Sequence, residues 1–240
     1  MFLSMEKILR AAACLACAMV VGMITVFLTT GVGQDPLQFV HSSVEYGELL
    51  LRNPAALRVT LGLDNAFIVF YATTFLALGT RILRAGAARA LVLASVGLLL
   101  ALAVLDMVEN FHFMVMLARA ERGLFPGDGE IAAQVWESLL KFHVSYLGLF
   151  LLGLALPRRT REERALASLS LFVQLPVGIL IYVTPAAVAF PLVLVRFAYF
   201  LAALLLVARI SRAPARGPSD EAAVGVRAGA GSSSVAQAPA

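Results

Sequence analysis

Six runs of apolar residues alternate with polar stretches along the chain, each near the roughly 20 residues a helix needs to cross the hydrocarbon core. They cover Ile8–Leu28, Val59–Gly79, Ala90–Leu117, Leu139–Leu156, Ala167–Thr184 and Val188–Ala208. This pattern predicts an all-α integral membrane protein, a bundle of six transmembrane helices within residues 1–212. The third run is the longest, about 40 Å at 1.5 Å per residue, so it should tilt or project beyond the bilayer. The first run has Lys7 and Arg10 before an apolar core, as a signal peptide does. It exceeds a typical h-region, and no small-x-small cleavage pattern follows directly, so it reads as a span.

The connections carry their own signals. Between the first two runs, Leu37, Val40, Val44 and Leu51 recur at roughly helical spacing, which predicts an amphipathic helix on the interface or over the bundle. Pro126-Gly127-Asp128-Gly129 marks a turn before the fourth run, and Trp136 reads as an interfacial anchor. Gln174 and Pro176 predict a kink in the fifth run, while Pro185 and Pro191 shape a short hairpin after it. Residues 213–240, rich in Ala, Gly, Pro and Ser, predict a disordered cytoplasmic tail. No convincing internal repeat is present.

Composition agrees with a membrane class. The 240 residues are 60% hydrophobic and 14% charged, against about a quarter charged in soluble domains. The net charge of +4 does not imply nucleic acid, because the basic residues lie in short connections. Lys7 and Arg10 precede the first run; Arg81, Arg84 and Arg89 separate the second and third. Arg158, Arg159, Arg161 and Arg164 separate the fourth and fifth, and Arg209, Arg212 and Arg216 follow the sixth. Cytoplasmic connections carry the positive charge, so both termini are expected in the cytoplasm, with an inner (plasma) membrane location of bacterial type.

Cys14 and Cys17 share a helix face in an Ala-rich stretch. A redox dithiol would need a second pair to relay electrons, and the thiols fall on the reducing side, so they read as packing residues.

The candidate chemistry lies in the spans. Asp64, Asp106, Glu109, Lys141, His143 and Arg196 all fall inside or at the edge of apolar runs. A charge at the bilayer centre costs roughly 2.5–3.5 kcal/mol on insertion scales, so such residues are usually paired or functional. The expected orientation and the rise per residue put Asp64, Asp106, Lys141 and Arg196, from four helices, in one layer in the outer part of the membrane. Asp106, Glu109 and Asn110 share one face of the third span, at i, i+3 and i+4, with His112 close by. Asn65 and Asn110 can bond between helices. Three carboxylates against Lys141 and Arg196 leave one over, to be neutralised by a proton, a cation or a histidine.

Three function classes follow. One is an outward-facing intramembrane polar site that binds or transports a small polar ligand, a lipid headgroup or a cation, through Asp64, Asn65, Asp106, Glu109, Asn110, Lys141, His143 and Arg196. Another is a metal-dependent hydrolase of lipids, with His112, His143, Asp106 and Glu109 as ligands, although no His-Glu-x-x-His or Gly-x-Ser-x-Gly motif is present. The third is a structural or assembly subunit, in which Arg196 pairs with Asp64 or Asp106, and Glu137 with Lys141 at i,i+4. The lipid bilayer is the one partner the composition specifies; no motif announces a cofactor.

Overall fold

The computed structural model describes residues 4–184 and 186–212. Pro185 and the expected tail, residues 213–240, lie outside the described residues. Among those described, the regular structure is entirely helical: α1 (Met5–Thr30), a 3-10 turn (Asp35–Gln38), α2 (Ser43–Leu51), α3 (Pro54–Arg84), α4 (Arg89–Ala120), α5 (Asp128–Ala155), α6 (Arg161–Phe172), α7 (Gln174–Val183) and α8 (Ala186–Ile210). Six stretches are long and apolar enough to cross a membrane: α1, α3, α4, α5, Arg161–Ile181 across α6 and α7, and Pro191–Ile210 of α8.

Local chemistry sets the helix ends. Ser4, Ser42 and Asn53 accept backbone N–H bonds at the starts of α1, α2 and α3, and Thr160 with Glu163 forms a capping box on α6. Gly31, at φ +68°, closes α1 in the left-handed conformation that glycine adopts without strain. The fifth span breaks at Val173 rather than bending smoothly. Pro176 has no N–H to donate to the carbonyl of Phe172, so the ladder fails there.

Several helices outrun their apolar runs. α5 begins at Asp128, well before the apolar run from Leu139, and takes in Asp128-Gly129 of the expected turn. Its first turns are amphipathic: Ile131, Gln134 and Ser138 are buried, while Trp136 is exposed. That burial comes from the connection between α1 and α3, which folds over this end of the bundle as a cap. The expected apolar set in the cap is partly wrong. Leu37 is buried, but Val40 and Val44 are exposed, and Tyr46 and Leu50 fill the core instead. The chain pauses in the 3-10 turn before α2 starts at Ser43, so one helical period does not run through both.

The spans form a ring in chain order. Each packs mainly on its chain neighbours, α1 on α3, α3 on α4, α4 on α5 and α5 on α6; α8 then packs on α6, α7 and α1 to close the circle. Two apolar cores hold the two ends. Under the cap, Tyr46, Leu50, Leu57, Phe113 and Leu117 pack together. The other end, the arginine-rich one, joins Leu9, Ile82, Val92, Leu156, Leu166 and Ile210. Buried Arg81 of α3 reaches Glu6 of α1 there at 2.8 Å. Cys14 and Cys17 are free thiols on α1, exposed and half-buried.

Close backbone approach fixes neighbouring spans. Ser95 of α4 donates to the carbonyl of Gly148 on α5 at 2.8 Å, and a Cβ at Gly148 would stand 2.9 Å from Leu99 Cγ. Gly148→Leu should therefore destabilise the detergent-solubilised protein by about 1–3 kcal/mol in thermal unfolding. Gly97→Leu, on the same helix pair but with open space around it, should leave the melting temperature unchanged or raised.

Candidate intramembrane site

The polar side chains of α3, α4 and α5 meet just inside the cap. Asp106 and Glu109, one turn apart on α4, both turn toward α5. Lys141 answers them, its Nζ 2.9 Å from Asp106 Oδ1 and in contact with Glu109 Oε2. Ser138, one turn earlier on α5, donates to the other Glu109 oxygen. Glu109 and Ser138 are fully buried, and Lys141 nearly so. The Tyr71 hydroxyl of α3 donates to Asp106 Oδ2 at 2.5 Å. Asn110 faces α3 instead: its Nδ2 donates to Asp64 Oδ2 at 2.7 Å and to Asn65 Oδ1 at 2.9 Å. Its own Oδ1 accepts from Gln34 of the cap at 3.2 Å.

Arg196 has a different partner from those expected. Its guanidinium reaches Asp35 of the cap at 2.8 Å, not Asp64 or Asp106, and stacks over the Phe142 ring at 4.3 Å. The Glu137–Lys141 pair is also not formed. Lys141 turns inward, and Glu137 takes His112 at 2.9 Å. His112 lies 3.9 Å from Glu130 as well, and Glu130 in turn binds Arg119 at 2.7 Å. His143 is exposed on the outer face of α5, bonded through Nδ1 to the Leu139 carbonyl. His112 and His143 therefore do not join Asp106 and Glu109, and among the described residues no three His, Cys, Asp or Glu groups are arranged to hold a metal ion. The residues of the hydrolase reading are not brought together.

Behind this cluster runs a cavity of about 590 Å³, inside the ring and lined by residues of all six spans. That volume falls in the range of ligand pockets, about 300–1,000 Å³. On α8 its lining extends from Val193 to Val207, about 20 Å along the helix axis. Asp64, Asp106, Lys141, Arg196 and, from the cap, Asp35 line one end; Val20, Leu78, Leu149, Ala203 and Val207 are among the apolar residues along the rest. The cap closes over the polar end. Burial, with Glu109, Glu130 and Glu137 nearby, pushes the Tyr46 hydroxyl of α2 above its ordinary pKa. It stays protonated and donates to the Leu37 carbonyl at 2.9 Å, pinning the 3-10 turn.

Asp35, Gln34, Ser138 and Tyr71 escaped the sequence reading. Ser138 precedes Lys141 by three residues and Tyr71 follows Asp64 by seven, so helical spacing from known candidates could have found both. Asp35 and Gln34 sit in a connection, where no periodicity points inward.

Geometry and composition together define a polytopic all-α membrane protein with a polar cluster at the mouth of an internal apolar cavity. No protein-family model matches the chain, and no curated protein or solved structure is detectably similar to it.

Lys141 neutralises the fully buried Glu109, so Lys141→Met should cost about 3–5 kcal/mol in thermal unfolding. Lys141→Met combined with Glu109→Met should recover part of that loss, since it removes the stranded carboxylate. Equal stability of the single variant and the wild type would sink this account of the pair.

Proposed function

We propose that this protein binds an amphiphile, with the polar head at the charged mouth and the apolar chain along the ring's interior. One observation carries this reading: a cavity shared by six spans, charged at one end and mostly apolar over the remaining length, with the hydroxyls of Thr74 and Ser170 bonded to the Phe70 carbonyl and Tyr199. A small polar solute would leave most of that wall uncontacted, and a purely apolar one would leave Asp64 unserved. Asp64, Asp106 and Arg196 face the cavity at the end that takes the head. Lys141 also reaches the cavity, but its bonds to Glu109 and Asp106 favour a linking role for that set. Asn65, Asn110 and Glu109 support the lining residues from behind.

The mouth faces outward in this reading. Arg81, Arg84, Arg158, Arg159 and Arg209 gather at the end opposite the cap, and the positive-inside rule assigns that end to the cytoplasm. Both described ends of the chain are then cytoplasmic, in a plasma membrane of the bacterial inner-membrane type. With Cys14→Ala and Cys17→Ala as background, a membrane-impermeant maleimide added to intact cells should label Glu48→Cys. Arg161→Cys should react only after permeabilisation; the opposite pattern inverts the orientation.

Native mass spectrometry of protein purified in mild detergent should show a retained lipid-sized molecule. Ala203→Trp fills the apolar part of the cavity and should reduce its retention at least tenfold. Leu205→Trp, on the exposed side of α8, should not. Unchanged retention by a folded Ala203→Trp variant would refute binding in the cavity.

A further inference from the structure

We infer that the amphiphile's head is a cation, an ammonium carried on the apolar chain and received by Asp64; this rests on the amphiphile-binding reading above. The charge balance is the first observation. Four carboxylates, Asp35, Asp64, Asp106 and Glu109, gather around two cations, Lys141 and Arg196. Both cations are already engaged, Lys141 by Asp106 and Glu109 and Arg196 by Asp35. An anionic head would compete with these carboxylates for the two cations and add to an existing excess of negative charge.

The second observation is Asp64 itself. It lines the cavity, accepts one hydrogen bond, from Asn110, and has no ion-pair partner among the described residues. A carboxylate on an apolar wall is costly without a counter-charge, and the ligand can supply one. The third is what surrounds it. Phe67 and Tyr71 follow Asp64 at i+3 and i+7 on the cavity face of α3, with ring centroids 5.0 Å apart. A carboxylate beside aromatic rings is the arrangement that recognises ammonium groups, quaternary ones included. The Tyr71 hydroxyl is held by Asp106, which fixes the ring.

The test compares heads on one chain. Dodecyltrimethylammonium, dodecyl sulfate and a neutral dodecyl polyether are titrated against the full-length protein in maltoside micelles, with bound copies counted by native mass spectrometry. The cation should bind at least tenfold more tightly than the sulfate or the ether. Asp64→Asn should abolish that preference, so that cation, sulfate and ether compared on this variant bind within about twofold of one another. Equal affinity for the three heads, or an undiminished preference in Asp64→Asn, overturns the cationic assignment and leaves the amphiphile reading standing. Failure of all three to bind, or binding that Ala203→Trp leaves untouched, overturns both. Should Asp64→Asn not fold, the head comparison on the wild type decides alone. Competition by sphingosine, a lipid whose ammonium sits on the chain itself, supports a membrane lipid as the source of the ammonium; lack of competition beside a tenfold cation preference supports a water-borne amphiphile.

Discussion

One ammonium group sets the geometry on which the polar layer depends. Lys141 stands between Asp106 and Glu109, carboxylates one turn apart on the neighbouring helix. Largely buried as they are, these charges are tolerable only where the others hold them. The register of α4 against α5 is therefore fixed by charge, and a one-residue slide would strand all three. The same contact turns Asp106 toward the ring interior, where Tyr71 brings α3 into register as well. Asn110 and Asp64 then add a second bond between α3 and α4.

The ring exists because its helices find their best contacts beside them rather than across from them. In lipid no hydrophobic force drives helices together, so association rests on packing and on polar bonds. Small residues supply the lateral packing: Gly148 lets α4 and α5 approach, and Gly178 takes the ring of Tyr146 against its backbone. The polar cluster and the cap stand at one end and the arginine-rich core at the other, with the elongated space between them.

The six spans and the polar layer were legible because both follow from period and depth, which a single sequence carries. Asp106, Glu109 and Lys141 pair directly, while Asp64 bonds to Asn110 beside them. Partner choice was not legible. Arg196 could be placed in the layer, but its carboxylate, Asp35, lies in a connection whose path depends on tertiary packing. Side-chain direction failed for the histidines: His143 is two residues from Lys141, and that step of about 200° turns it out of the ring. The cap misled through Val40 and Val44, whose apparent period continues across a break at residues 39–42. Missing Asp35 also understated the charge excess, since Arg196 had been set against a carboxylate of the spans.

The Asp35–Arg196 bond also orders events in time. Its partners are 161 residues apart, the first in the connection after the first span and the second within the last. At roughly 5–20 residues per second of synthesis, about 10–30 s separate their emergence. The α4–α5 hairpin can enter the membrane with its charges already matched, because Lys141 follows Asp106 by only 35 residues. Asp35 has no such local answer. Until α8 inserts, the circle of helices lacks its closing member and the 3-10 turn has no anchor on that side. Insertion of α8 is thus the step that creates the interior, and a chain truncated before α8 has spans but no compartment.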